Sequence, residues 1–213
     1  MNYLPIVSFS LIFSLSACSS VYYSGLEKIG IPKREVMVHR VEKARDTQEE
    51  TKEQFKSALE QFTAVTQFKG GDLEATCNRL NSEYEASVKK ADEVRYRISE
   101  IEDVSEALFI EWEDEITQYS SASLKRSSQN KLNETKIQYQ QLIKAMKSAE
   151  SKIEPILAVF KDQVMYLKHN LNAQAIASLK TELGSIKTDV SNLIAAMEKS
   201  INEANAFIRT MEK

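Results

Sequence analysis

The chain has 213 residues, with 28 basic and 31 acidic side chains and a formal net charge of −3. This near-balance argues against a general affinity for nucleic acid. Only five glycines and three prolines occur, which is little punctuation for a fold of many short strands, so long helices are expected.

The N-terminus begins with an apolar run at residues 4–17 that ends in small residues. The run is shorter than the ~20 residues that a membrane-spanning helix needs, and it predicts a signal peptide at residues 1–17. The last three signal residues and the next residue, Leu15-Ser16-Ala17-Cys18, resemble the bacterial lipobox, which implies that Cys18 becomes the lipidated N-terminus. Because several acyl chains hold a protein stably, the mature chain is expected to be anchored to a membrane without spanning it.

The residue after the cysteine indicates which membrane holds the anchor. By resemblance to the bacterial sorting rule, in which an Asp at this position favours the inner membrane, Ser19 points to the outer membrane and its periplasmic face. Residues 18–31 are interpreted as a lipidated tether without helical period. Tyr22 and Tyr23 are expected at the level of the lipid headgroups, where amphipathic rings are favoured.

A first helix is predicted over residues 32–68, because apolar residues recur there in steps of four and three. Pro32 suits its first position. Gln48 and Thr51 also lie on this seam, so its polar middle is either a solvated face or a water-lined or partner-facing stretch. Gly70 and Gly71 favour a reversal there, and Asp72 can cap the next helix.

A second helix is predicted over residues 73–119, with a heptad seam that skips Ser87, Ser105 and Glu115. No Gly or Pro interrupts it, so at about 1.5 Å per residue it would be ~70 Å long. A helix of this length needs other helices to cover its apolar stripe.

The serine-rich residues 120–128 are predicted to form the second reversal. Residues 100–115 carry eight acids and no base, whereas residues 125–152 are mainly basic. These two flanks are expected to pair when the chain folds back. A third helix over residues 124–168 should be kinked at Pro155, because its ring clashes with the carbonyl four residues earlier.

Residues 168–172 read as a helix end and a restart, followed by a fourth helix over residues 173–211. The predicted fold is therefore all-α. It is an elongated antiparallel helical bundle, or coiled coil, of four long helices that forms a single domain over residues 32–213.

The side chains argue against several chemistries. His39 and His169 are the only histidines, and no Glu-x-x-His pair of the di-metal bundles occurs. Cys77 lies on the seam of the second helix and has no partner in its own chain once Cys18 is lipidated, which leaves a buried apolar role or an intermolecular disulfide. No catalytic residue, cofactor or metal site is predicted.

Several short strings carry a resemblance to a known family: Tyr22-Tyr23-Ser24, Glu27-Lys28, Gly70-Gly71, and residues 45–55, 106–113 and 168–173. They resemble an uncharacterised family of gammaproteobacterial lipoproteins, the domain of unknown function 2959, over nearly the whole mature chain. The resemblance implies a lipoprotein of the bacterial envelope and supplies no activity.

The expected function is a lipid-anchored periplasmic scaffold, with a protein partner or self-association through the helical seams and no small-molecule substrate. The alternative is a membrane-surface or lipid-binding helical module, which would need a basic concave face. A terminal Lys213 also leaves open a contact with peptidoglycan.

Overall fold

The computed structural model describes Tyr23 and residues 30–212, and within these residues it contains helices and no strand. The predicted signal peptide, Cys18 and most of the predicted tether lie outside the described residues. The helices are α1 (Lys33–Thr66), α2 (Leu73–Gln118), α3 (Ala122–Glu150), α4 (Ile153–His169) and α5 (Ala173–Met211).

The helices form four antiparallel rods, because α3 and α4 follow each other along one interrupted rod. The α1 helix packs against α2 and α5, and the α3–α4 rod packs against the same two helices. No close backbone contact joins α1 to α3 or α4, so these rods lie diagonally opposite each other. The predicted all-α helical bundle is confirmed.

The core follows the heptad seams, since the apolar residues at the four-three spacing are those that the rods bury. Met37, Phe55, Leu80 and Ile101 are fully buried in one hydrophobic cluster that runs from Tyr23 to Met211. The α2 helix has 46 residues, so it is about 69 Å long at 1.5 Å per residue.

The predicted turn signals are confirmed at two reversals. Gly70 and Gly71 adopt positive φ angles of 148° and 103°, a region that side chains other than glycine rarely adopt. Asp72 then caps α2, since its Oδ1 accepts a hydrogen bond from the Ala75 amide at 2.9 Å. Asn172 caps α5 in the same way, through the Ala175 amide at 3.0 Å.

The third rod is broken one helical turn before Pro155. Its ring stands four residues after Ser151, and the turn at Ser151 and Lys152 separates α3 from α4. Proline crowds the carbonyl four residues before it, so the predicted kink is confirmed as a break between two helices.

The acidic flank of α2 meets the basic flank of α3, as the charge pattern predicted. Lys136 pairs with Glu113, and Lys147 pairs with Glu102. Exposed pairs of this kind contribute about 0.2–1 kcal/mol each, so they select the register of the two helices more than they stabilise it.

Two serines that interrupt the seam of α2 lie in the core. Ser87 is fully buried and Ser105 is 2% exposed. Each hydroxyl donates to a carbonyl of its own helix, Ser87 to Glu83 at 2.7 Å and Ser105 to Glu102 at 2.8 Å. Because the helix itself satisfies these hydroxyls, the seam continues through both positions.

Candidate functional site

The candidate anchor, Cys18, lies outside the described residues. Tyr23, five residues later, packs against the bundle. The Tyr23 side chain is 2% exposed. Arg40 on α1 donates through Nη1 to the Tyr23 hydroxyl at 2.6 Å and to the Glu100 carbonyl of α2 at 2.6 Å. The Arg40 guanidinium also lies 5.3 Å from the Tyr23 ring centroid, a cation–π distance.

This arrangement corrects the expectation that Tyr23 lies at the headgroup level. The ring is buried against α1 and α2 because Arg40 satisfies its hydroxyl and covers its face. Tyr22 lies outside the described residues. Arg40 is the residue that the sequence analysis missed, since a single arginine in a charged helix carries no local signal of a partner 17 positions earlier.

The rods end at different levels near the start of α1. The Lys33 ammonium lies 3.0 Å from the Glu111 carboxylate, so α1 begins level with Glu111. Met211 at the end of α5 lines a shallow groove together with Leu108 and Trp112. Beyond this level α2 and α3 continue without the other two rods, and we call residues 112–132 the terminal hairpin.

A second, small hydrophobic cluster lies at the base of the terminal hairpin. Phe109, Ile116 and Leu132 form a second hydrophobic cluster, against which Trp112 and Tyr139 pack. The indole N–H of Trp112 donates to the Ser128 hydroxyl at 2.9 Å. The prediction that residues 120–128 form the reversal is wrong. The reversal is confined to residues 119–121, because the Ser121 hydroxyl accepts a hydrogen bond from the Leu124 amide and caps α3 at its start.

Exposed apolar side chains gather toward the end of the terminal hairpin. Tyr119 is 43% exposed and Leu124 is 57% exposed. Lys125 and Arg126 follow Leu124 and are exposed. Neither makes an ion pair with a described residue, whereas Lys136, further along α3, is paired with Glu113.

Cys77 is buried on α2, which agrees with the interpretation that it is a buried apolar side chain. Its side chain is 8% exposed, and burial raises the pKa of its thiol. Because the thiolate is the reactive form, the raised pKa leaves less thiolate at neutral pH than an exposed cysteine has. The buried position disfavours a disulfide with a second chain.

In a Cys18→Ser protein, whose remaining cysteine is Cys77, we expect the folded form to react with a thiol reagent far more slowly than the form unfolded in guanidinium. The rate should begin to rise at a higher pH than for a free cysteine, since deprotonation of a thiol with a raised pKa needs higher pH. Following the release of thionitrobenzoate from Ellman's reagent checks both. Equal rates in the folded and unfolded protein would contradict the buried position.

The two histidines lie apart on the surface of the bundle. His39 is exposed with its Nδ1 4.0 Å from Glu42, and His169 is exposed at the end of α4. Within the described part of the chain, no group of three His, Cys, Asp or Glu residues is placed to hold a metal ion. The grooves along the described bundle are open and lined by charges of both signs.

Among the helices of residues 30–212, none combines the length and the apolar character that crossing a bilayer requires.

The comparisons with known proteins identify a family. No curated protein and no solved structure matches the chain. The family model described as "Protein of unknown function (DUF2959)" matches residues 22–211, which includes all five helices. The chain therefore belongs to the DUF2959 family.

Proposed function

We propose that this protein is a lipid-anchored structural or scaffolding protein of the bacterial envelope. Cys18 carries the lipid, the outer membrane holds it, and the bundle stands on the periplasmic side. The observation that carries the proposal is the short link between a lipobox cysteine and a long rod, since Tyr23 is docked on α1 and α2 only five residues after Cys18.

The shape and surface of the bundle support a scaffold rather than an enzyme. Several charged side chains along the rods are used in ion pairs, such as Lys90 with Glu50 at 2.5 Å and Arg95 with Glu150 at 3.1 Å. A binding or catalytic site usually needs a concave pocket with a few convergent polar groups. Open grooves lined by paired charges provide neither a deep pocket nor convergent polar groups that are free to bind a substrate.

The partner of the scaffold is proposed to be a protein or a second copy of the chain. The heptad seams are covered within one chain, so such a partner would meet the outer faces of the rods. Exposed apolar residues on these faces include Tyr96, Ile110, Ile137 and Tyr166. Crosslinking in intact cells with identification of the captured protein tests for a partner, and ultracentrifugation tests for self-association.

The alternative, a lipid-binding module, receives less support from the surface. A lipid-binding face of a helical bundle is typically a continuous basic one. Here Arg95 bridges Glu150 and Glu154, and Lys90 bridges Glu50 and Glu93 in the same way. Flotation of a non-lipidated form with anionic vesicles would favour the alternative.

The anchor is tested with the two cysteines of the chain as a matched pair. In the chain with its own signal peptide, we expect Cys18→Ser to abolish lipidation and to remove the protein from the outer-membrane fraction. Cys77→Ser should keep the wild-type distribution, because this residue is a buried side chain remote from the lipobox. Cell fractionation and the mass of the mature N-terminal peptide are the measurements.

An unmodified Cys18 in mature protein would overturn the proposed anchor. So would an outer-membrane fraction that contains Cys18→Ser in wild-type amounts. Ser19→Asp tests the destination separately, since by the sorting rule it should retain the lipidated protein in the inner membrane.

A further inference from the structure

We propose that the end of the terminal hairpin, residues 119–126, is a second membrane contact that touches the lipid surface in which the anchor sits. This inference rests on the proposed lipid anchor at Cys18. It adds a contact made by the folded bundle, and with it an orientation of the rod at the membrane.

The first argument is the reach of the chain before Tyr23. Whatever path they take, the five residues from Cys18 to Tyr23 span at most about 18 Å. Tyr23 is held by Arg40 at the level of Glu100, because the same nitrogen of Arg40 donates to the Tyr23 hydroxyl and to the Glu100 carbonyl. The membrane surface must therefore lie close to this level of the bundle.

The second argument is the distance from this level to each end of the bundle. From Glu100 to the end of α2 at Gln118 the helix rises about 27 Å, at 1.5 Å per residue. In the other direction, α1 rises about 39 Å from Arg40 to Thr66, more than twice the reach of the tether. The terminal hairpin is thus the nearer end, and an inclined rod brings it to the membrane.

The third argument is the chemistry of the hairpin end. Tyr119 and Leu124 flank the reversal and are 43% and 57% exposed. The described part of the chain leaves them exposed, because α1 and α5 end before the hairpin does. A tyrosine and a leucine followed by the basic Lys125 and Arg126 is the combination that favours the boundary between headgroups and acyl chains.

The contact is expected to be weak by itself and to form because the protein is anchored. Asp114 and Glu115 lie on α2 within two turns of Tyr119 and oppose binding to anionic lipids. A short tether, however, raises the effective concentration of a second site to the millimolar range. The lipidated protein on vesicles is therefore the form in which the contact should be seen.

The experiment uses the single tryptophan of the chain. In a Trp112→Phe background, Leu124→Trp places the reporter at the hairpin end and Leu171→Trp places it at the opposite end of the bundle. Leu171 is a matched control, since it is an exposed leucine, 43% accessible, that also lies at a reversal between two helices. Each lipidated protein is reconstituted on phosphatidylcholine vesicles in which part of the lipid carries bromine, a short-range quencher of tryptophan fluorescence.

We expect brominated lipid to lower the emission of the Leu124→Trp protein at least about twofold and to leave that of the Leu171→Trp protein nearly unchanged. Equal quenching of both reporters, or of neither, would overturn the contact. Should the Trp112→Phe background fold poorly by circular dichroism, amide hydrogen exchange of the unaltered lipidated protein replaces it. Exchange at residues 119–126 should then slow on vesicles relative to residues 170–173, and equal exchange at both would overturn the contact.

Failure of this inference is distinguishable from failure of the anchor. A protein that floats with the vesicles and carries lipid on Cys18, but shows no quenching at the hairpin end, refutes only the second contact. A protein with an unmodified Cys18 that does not float refutes the proposed function, and the second contact with it.

Discussion

Replacing Phe62 or Phe160 by alanine is expected to destabilise the bundle by about 3–5 kcal/mol, the usual cost of deleting a buried phenylalanine. Both rings are fully buried, and they stack at a centroid distance of 5.7 Å. Phe62 lies on α1 and Phe160 on α4, two rods without close backbone contact. Each ring therefore fills the centre of the bundle, where neighbouring helices cannot easily close the cavity.

The measurement is urea unfolding followed by circular dichroism at 222 nm. Ile137→Ala is the control, since Ile137 is 57% exposed and should change stability by less than about 0.5 kcal/mol. In the double variant the loss should fall short of the sum by about 0.5–1.5 kcal/mol, the coupling expected of an aromatic pair. Destabilisation by either Phe variant as small as that of the control would contradict the diagonal packing.

Replacing Gln48 by methionine is expected to stabilise the bundle by about 1–3 kcal/mol, the penalty for a buried polar group that lacks hydrogen bonds. Gln48 is 1% exposed, and within the described structure neither its Oε1 nor its Nε2 has a hydrogen-bond partner. Methionine has a similar shape and no amide to desolvate.

The same layer contains a second unsatisfied group. Ser200 on α5 is fully buried and its hydroxyl also lacks a partner among the described residues. The pairs Arg45 with Asn205 and Lys52 with Glu198 bracket this layer between α1 and α5. The layer thus weakens the middle of the bundle relative to an apolar one.

The matched control for Gln48→Met is Gln129→Met, the same chemical change at an exposed position of α3. It should alter the free energy of unfolding by less than about 0.5 kcal/mol. A Gln48→Met protein that unfolds at lower urea than the wild type would show that the amide is satisfied in solution. Urea titration with the same circular dichroism signal measures both variants.

The terminal hairpin shows what sequence reasoning can reach and where it stops. The predicted lengths of the first two helices already differed, and this difference produces the overhang beyond Glu111. The sequence does not predict which end of the bundle carries this overhang, because the level at which α1 begins depends on the contact between Lys33 and Glu111, 78 residues away. The two ends of such a contact carry no mutual signal in one sequence.

A residue judged singly can be misplaced when its partner is not considered. The general preference of a tyrosine ring for lipid headgroups predicts the wrong position for Tyr23, because Arg40 binds its hydroxyl and holds it on the bundle. The polarity of Ser87 and Ser105 predicts gaps in the seam, yet their hydroxyls are satisfied within α2 and both side chains are buried. In each case the burial depends on a hydrogen bond that composition and periodicity do not show.

The sequence by itself determined the helical rods, most of their ends and their antiparallel order, although α3 begins at Ala122, inside the predicted reversal. These features depend on contacts within a few residues, such as the four-three spacing of apolar side chains, the Gly70-Gly71 turn and the Asp72 cap. Only the tertiary structure decided which rods lie diagonally opposite each other, where α2 and α3 extend beyond α1 and α5, and how Arg40 holds Tyr23 on the bundle. Those features depend on side chains that meet across long separations in sequence, where packing geometry rather than local preference selects the partner.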